Sequence, residues 1–478
     1  MYTDGRRPAF SAAGWKSLGL KVVLVLTVGL VFPGMLLWES APVLAQEAIS
    51  QEEPTPSSVD EIVTPMDRSF EEKKPRPGLF PMLKEQLKDT PAFFRDTKLD
   101  LNARTYYFDR NKYDNSISEA WALGGSLGYR SGWLLDHFSI GAVLYTSQPL
   151  YAPDDRDGTL LLKPGQEGYT VLGQIYGRLK LWGENFINLY RYEYNTPYLN
   201  KNDSRMTPNT FEGYTFTGKY GGQEGAPGFR YGLGYIDKIK PRNSDTFIYM
   251  SEAVGVQNAD RGVFTGGSNF SYKGFSLGAI DYFCSSVINI FYTEASFKFP
   301  VTDRLGLLVS GQFSDQRSVG DNLLTGSAFS TNQLGLKTDI SYGGVILSLG
   351  YSVDASGADL RNPWSSFPGY TTVQVQDFNR AGESAFIGKL SYDFSRLGLE
   401  GVTAYGLLVH GWGRIDPTTG SSVPNENEFD LDLQWRPQWK FLKGLWFRAR
   451  FANVHQYEGP GNTINDFRLI VNYDFPLL

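Results

Sequence analysis

The sequence predicts an all-β fold, a transmembrane antiparallel β-barrel of 18 strands with short periplasmic turns and long outer loops. Three observations predict it. Segments of alternating apolar and polar residues recur from about residue 97 to the end. An export signal opens the chain, and after it no apolar run approaches the ~18 residues of a membrane helix. Connections between the alternating segments are by turns tight and long, as in barrels with one short-looped and one long-looped rim.

Residues 1–45 read as a signal peptide. Arg6, Arg7, Lys16 and Lys21 supply the positive region, VVLVLTVGLVFPGMLL the apolar stretch, and Val43-Leu44-Ala45 a small-residue cleavage site before Gln46. A retained anchor is the alternative, but Pro33 and Gly34 interrupt the run and no stop-transfer charges follow. Residues 46–95 read as a periplasmic linker. QEEPTPSSVDEIVTPMDRSFEEKKPRPG is rich in Pro, Glu and Ser, a composition that stays disordered because it buries too little apolar surface. MLKEQLKDTPAFF has room for one short helix.

The barrel occupies residues 96–478. Its expected strands open with 97–109, 118–130, 134–147, 169–182, 185–195 and 211–220. They continue with 229–239, 262–272, 275–284, 288–299, 304–316 and 331–342, and end with 345–355, 383–394, 401–415, 427–437, 445–457 and 465–477. Side chains on a strand alternate between two faces. In TKLDLNARTYYF, Leu99, Leu101, Ala103, Thr105 and Tyr107 oppose Lys98, Asp100, Asn102 and Arg104. EFDLDLQWR sets Phe429, Leu431, Leu433 and Trp435 against Glu428, Asp430, Asp432 and Gln434. In the last strand Phe467, Leu469, Val471, Tyr473 and Phe475 oppose Arg468, Asn472 and Asp474.

TFIYMSEAVG at 246–255 also looks like a strand. A nineteenth strand would put the chain ends on opposite sides, so this stretch belongs to a long loop. A soluble sandwich would need all these one-sided strands to meet in one core, and there are too many of them. The apolar faces therefore meet lipid and the polar faces a water-filled lumen, with every backbone group paired to a neighbouring strand.

Catalytic and cofactor chemistry finds no footing. Cys284 is the only cysteine, so no disulfide or thiolate cluster is expected. His137, His410 and His455 lie far apart and in no metal-ligand spacing. GGSLG at 124–128 matches the G-x-S-x-G pattern, but that motif needs a strand–turn–helix and here the alternation runs on through it. An acidic pI of about 5.4 argues against nucleic acid. The expectation is a non-enzyme without cofactor or metal.

INLYRYEYNTPYLNKNDSRMTPNTFEGYTFTG at 187–218 resembles the characteristic region of OprD-type outer-membrane porins. YIDKIKPRNSDTF (235–247), DQRSVGDNLLTGSAF (315–329) and SGADLRNPWSSFPGYTTVQVQDFNRAGESA (356–385) extend the resemblance. LSYDFSRLGLEG, LKGLWFRARFA and NDFRLIVNYDFPLL carry it to the C-terminus. The resemblance implies an 18-stranded barrel in a bacterial outer membrane, with a narrow charged pore for passive diffusion of small, carboxylate-bearing solutes. It further implies a row of basic residues on one side of the lumen, an acidic pocket, and inward-folded loops forming the constriction. Such a row raises local anion concentration by focusing the field, and arginine matches a carboxylate with two parallel donors.

Alternation places Arg104, Arg130, Arg178, Lys180, Arg448, Arg450 and Arg468 on lumenal faces. Arg448, Arg450 and Arg468 coincide with positions of the family's basic row. Arg191 and Arg205 flank the 196–210 loop, a candidate for the constriction, although Arg191 lies on the less polar parity of its strand. Asp100, Asp430 and Asp432 are lumenal by alternation, and Asp315, Asp321 and Asp359 lie in or near loops that could fold inward. Any one arginine could equally be a solvated or salt-bridged residue that stiffens the barrel; the cluster Arg104–Arg448–Arg450–Arg468 favours transport. His410 takes an inward place that could make conductance depend on pH, or could be structural.

The expected partners are outer-membrane lipid, small carboxylate-bearing solutes and the assembly machinery that reads the C-terminal strand, while monomer and trimer stay open. The chain ends Pro476-Leu477-Leu478, with Phe475 in place of a terminal aromatic. An adhesin or structural barrel closed by its loops is the alternative function, and a barrel-borne lipase a more distant one.

Overall fold

The computed structural model describes residues 78–478 apart from 224, 303, 440–441 and 458–461. The expected signal peptide, and the expected linker up to residue 77, lie outside the described residues. Two short helices, α1 (Pro81–Leu87) and α2 (Ala92–Arg95), precede the first strand.

Eighteen strands then close a barrel. β1 to β6 are Lys98–Asn111, Ile117–Arg130, Phe138–Tyr151, Tyr169–Lys180, Glu184–Tyr192 and Thr210–Gly221. β7 to β12 are Gly228–Lys240, Val263–Tyr272, Phe275–Cys284, Ile288–Pro300, Leu305–Arg317 and Ser330–Tyr342. β13 to β18 are Val345–Asp354, Ser384–Asp393, Val402–Trp412, Glu426–Trp435, Leu445–Gln456 and Thr463–Pro476. Each pairs antiparallel with the next, and β18 pairs back onto β1 with Asn472 opposite Arg104. Closure leaves no sheet edge, which is what lets a β-structure sit in hydrocarbon. The 246–255 stretch stays outside the ring. Only Ile248 and Tyr249 touch β7, opposite Ile239 and Lys238, while β7 itself goes on to pair with β8.

β3 starts four residues later than the sequence suggested. The turn before it extends through 131–137, with Leu135 at φ 51° and Asp136 at φ 61°, so Trp133 and Leu134 belong to the turn. The alternation shows in the burial of many strands. Leu101, Leu123, Leu127, Leu431, Leu433 and Leu469 are exposed on the outside, whereas Tyr106, Phe108, Asp430, Asp432 and Arg468 are buried inside.

At the rim opposite the chain termini, three connections turn into the lumen: 193–209, 241–262 and 355–383. They meet on the β9–β10 wall. Tyr198 lies 6.0 Å from Tyr282, 6.1 Å from Tyr292 and 6.0 Å from Phe367, ring to ring. Trp364 donates its indole N–H to the Met250 carbonyl at 2.9 Å. Asn200 donates to the Ser365 hydroxyl at 2.8 Å. Tyr198, Trp364, Phe367 and Met250 are buried, so these loops form a small hydrophobic core of their own inside the barrel.

Candidate functional site

The site is the opposite wall, where β16, β17, β18 and β1 lie side by side. Period-two alternation turns a polar set inward from each strand. β16 presents Glu428, Asp430, Asp432 and Gln434; β17 presents Trp446, Arg448 and Arg450; β18 presents Asp466, Arg468 and Asn472; β1 presents Arg104, Tyr106 and Arg110. Register brings Arg450 directly opposite both Asp432 and Arg468. Like charges side by side would repel, and each guanidinium is held by a carboxylate. Asp432 takes Arg448 at 2.7 Å and Arg450 at 3.0 Å, and Asp466 takes Arg468 at 2.6 Å and Arg110 at 2.6 Å.

The 193–209 connection crosses the lumen from the aromatic core to this wall. Its Asp203 meets Arg104 with two parallel hydrogen bonds, at 2.6 and 3.0 Å. Arg104 also donates to the Asn472 side chain at 2.7 Å and to the Arg205 carbonyl at 2.6 Å. Arg104, Arg205, Trp446, Arg448 and Arg450 line one small hollow together with Asp203. Arg205 is buried, donating to the Thr159 carbonyl at 2.8 Å and lying 5.0 Å over the Phe108 ring. Burial, with the cations Arg242 and Arg468 close by, pushes its guanidinium well below the ordinary arginine value. Burial likewise lowers Arg242 to about 10, with Arg468 adding to the shift.

The 355–383 connection docks on the same wall through its tip, nearer the loop rim. Glu428 accepts from the backbone N–H of Val375 at 2.7 Å and of Gln376 at 2.8 Å, and Asp430 accepts from that of Gln374 at 3.1 Å. Arg468 donates to the Gln374 carbonyl at 3.1 Å. The inward acids of β16 thus bind loop backbone and ladder arginines. Asp359 serves inside this connection, accepting from the Ala381 N–H and from Arg380, both at 2.9 Å.

The other residues singled out from the sequence lie elsewhere. Arg130 stands opposite Lys98 near the rim that carries the termini, and Asp100 faces the lumen near the same rim, opposite Pro476. Arg178 on β4 is buried, with its guanidinium 4.3 Å over Phe186, and Lys180 ends that strand. These residues do not join the hollow.

Four placements differ from the expectation. Arg191 stands opposite outward-facing Ile175 and pairs with Glu212 at 3.0 Å, so it leaves the basic row. Its strand's own alternation gives it that parity. Asp315 is opposite outward-facing Phe291 and pairs with Arg317 at 2.6 Å; the inward places beside it are Ser314 and Gln316. Asp321 is exposed in the 318–329 connection, accepting from Ser286 at 2.9 Å, and does not enter the lumen. His410 faces outward, opposite Phe386, with its ring stacked 5.4 Å from Trp412. Inward Leu407 and Val409 are apolar because they pack under Phe378 of the 355–383 connection, so polarity could not reveal the parity of YGLLVHGW.

Sequence reasoning also missed residues that matter here. Glu428 shares the parity of Asp430 and Asp432, Asp466 that of Arg468, and Arg110 that of Arg104, so the alternation could have found all three. Arg242 sits in an irregular connection, and Lys240, buried at the end of β7, donates to Thr207 at 3.3 Å. No pattern in the sequence marks either.

A family model described as outer membrane porin, OprD family, matches residues 91–477. Porin D of Pseudomonas aeruginosa is 24% identical over 430 residues, covering 82% of this chain and 93% of that protein. Among solved structures, P. aeruginosa OccK9 (OpdG) has a TM-score of 0.72 at 24% identity, covering 81% of this chain and 100% of its own. P. aeruginosa OpdK with vanillate gives 0.70 at 21% identity, covering 80% and 100%. OccAB3 of Acinetobacter baumannii gives 0.72 at 20% identity, covering 80% and 99%. At these identities the structures share the barrel fold with this chain.

Proposed function

The chain belongs to the OprD family of outer membrane porins, and from that premise we propose that its lumen guides small carboxylate-bearing solutes past the β17–β18–β1 wall. As a member of that family it is a channel of the bacterial outer membrane; the solute class and the residues that guide it are the proposal. One observation carries it. Arg104, Arg205, Arg448 and Arg450 converge on one hollow beside the constriction, and Arg104 already holds a carboxylate there with two hydrogen bonds.

A solute carboxylate entering that hollow would exchange with Asp203 and meet a second and third guanidinium within the same wall. Several moderate sites in series let a solute enter and leave, whereas one tight site would trap it. Trp446 lies against Arg448, with 5.7 Å between guanidinium and ring, so an aromatic acid would find a flat face next to a donor pair. Vanillate, the compound seen with OpdK, is such an acid.

The test is single-channel recording of the refolded protein in a planar bilayer under a salt gradient, with and without small aliphatic and aromatic carboxylates. Wild type should show small steps, anion preference and block by carboxylates, and Arg448→Ala/Arg450→Ala should lose much of both. Steps indifferent to carboxylates and to the mutations would remove the guiding role. A folded barrel without conductance would favour a lumen closed by its loops.

A further inference from the structure

Among the described residues an apolar surface off the barrel wall has no protein partner, and it lies just before the part of the chain shared with the family, which begins at residue 91. Leu79, Phe80, Met82 and Leu83 are 58%, 50%, 78% and 41% exposed, and no residue of α1 is buried. On a helix of 3.6 residues per turn, Leu83 and Leu87 fall on one side of α1, with Met82 at its margin, and Leu79 and Phe80 come just before its first turn. Lys84, Glu85 and Lys88 fall on the other, and Gln86 alone interrupts the apolar arc. Soluble surfaces rarely carry so many large apolar groups together.

Where this surface is tied decides what covers it. The Leu79 N–H donates to the Pro476 carbonyl at 3.1 Å and the Phe80 N–H to the Leu477 carbonyl at 3.1 Å. Residues 79–80 thus continue the barrel wall at the end of β18, beyond the start of β17. The wall beside them carries an aromatic belt on its lipid side. Trp435 stacks on Phe447 at 5.4 Å and meets Trp439 at 5.7 Å, and Tyr473 lies 4.0 Å from Phe475. Aromatic belts mark the level of the lipid headgroups. The helix starts from the wall at that level.

We propose that α1 is an interfacial anchor whose Leu83–Leu87 side, with the Leu79 and Phe80 side chains that precede it, lies in the inner-leaflet phospholipid of the outer membrane, beside the end of β18. An amphipathic segment binds such an interface in proportion to the apolar area it buries. A helix this short adds a modest anchor, and its backbone tether to β18 supplies its position.

The experiment places an environment-sensitive fluorophore on a single cysteine, at Leu83→Cys or Glu85→Cys, in a Cys284→Ser background. The labelled proteins are refolded into phosphatidylethanolamine/phosphatidylglycerol vesicles, and barrel folding is checked by heat-modifiable gel mobility. The label at 83 should emit at shorter wavelength and be quenched by brominated phospholipid several-fold more than the label at 85, which should remain open to aqueous iodide. Two labels equally open to iodide and equally blind to brominated lipid would overturn the proposal. So would a label at 83 shielded from both quenchers, which means protein covers it; deleting residues 46–77 would then show whether that protein is this chain's own preceding segment. If either variant fails to fold, Phe80→Cys and Lys88→Cys repeat the comparison.

Discussion

Two walls of one barrel receive the same inward loops in opposite ways. On β9 and β10 the inward side chains are Ile280, Tyr282, Ile290 and Tyr292, and the loops pack on them as a core on a sheet. On β16 to β1 the inward side chains are carboxylates and guanidinia, and the loops touch them through point contacts: Asp203 on Arg104, and the 374–376 backbone on Glu428 and Asp430. Apolar packing is non-directional and excludes water; hydrogen bonds hold two surfaces together only where donors and acceptors meet. The first wall therefore positions the loops, and the second leaves a hollow between its contacts.

Breaking the aromatic side should have the largest effect. Trp364 joins two loops and is 1% exposed. Removing a large aromatic from a core costs about 3–5 kcal/mol. In Trp364→Ala the 355–383 connection should detach while the barrel stays folded. Conductance should rise several-fold, and protease should cut within that connection. Unchanged conductance would mean that the polar wall holds the loops unaided.

Breaking the charged side should alter selectivity more than size. Arg448→Ala/Arg450→Ala strips the buried Asp432 of both its arginines and leaves it only the Gln434 amide, and breaking such a pair costs about 3–5 kcal/mol. Reversal potentials under a salt gradient should shift from anion towards cation preference. Adding Asp432→Asn should recover stability to denaturant but not anion preference, which separates the structural role of the arginines from their guiding role.

Glu428→Gln sharpens the comparison at a single contact. Two backbone N–H groups meet this carboxylate, and hydrogen bonds to charged groups contribute about 1.5–3 kcal/mol each. The amide keeps one acceptor, so the loop tip should flicker rather than leave. Excess open-channel current noise with an unchanged mean conductance is the expected record; a quiet channel would show that Asp430 and Arg468 suffice.

The same contrast explains what was legible in the sequence. The charged wall was readable because EFDLDLQW, LWFRARFA and DFRLIV alternate sharply, so Arg104, Arg448, Arg450 and Arg468 fell on their inward faces from parity alone. The aromatic wall was not. Inward Tyr282 and Tyr292 are as apolar as the lipid side of their strands, since they face loops instead of water, and polarity then carries no sign. His410 was misplaced for this reason, next to inward Leu407 and Val409. Arg191 stands outward on the parity its strand's alternation gives it, and nothing local announces that Arg242 enters the lumen.

The smallest expected effect is a pH dependence of loop docking. Burial pushes Glu383 up to about 7, opposed by the Arg380 N–H and by Arg414 and reinforced by Glu426, and pushes Asp377 up to about 6, opposed by Arg242 and Arg380. Both groups lie in the 355–383 connection. Detached and solvated, they would titrate near about 4, so between there and their docked values the docked loop binds more protons than the free one. Stability of docking thus falls as pH rises, from its full value below about 4 to a plateau above about 7. Current noise should grow from about pH 5 to about pH 7, and Glu383→Gln should flatten the upper part of that rise. If noise instead grows towards acid pH, the charged forms hold the loop, and the point contacts on the polar wall outweigh the burial of these two carboxyls.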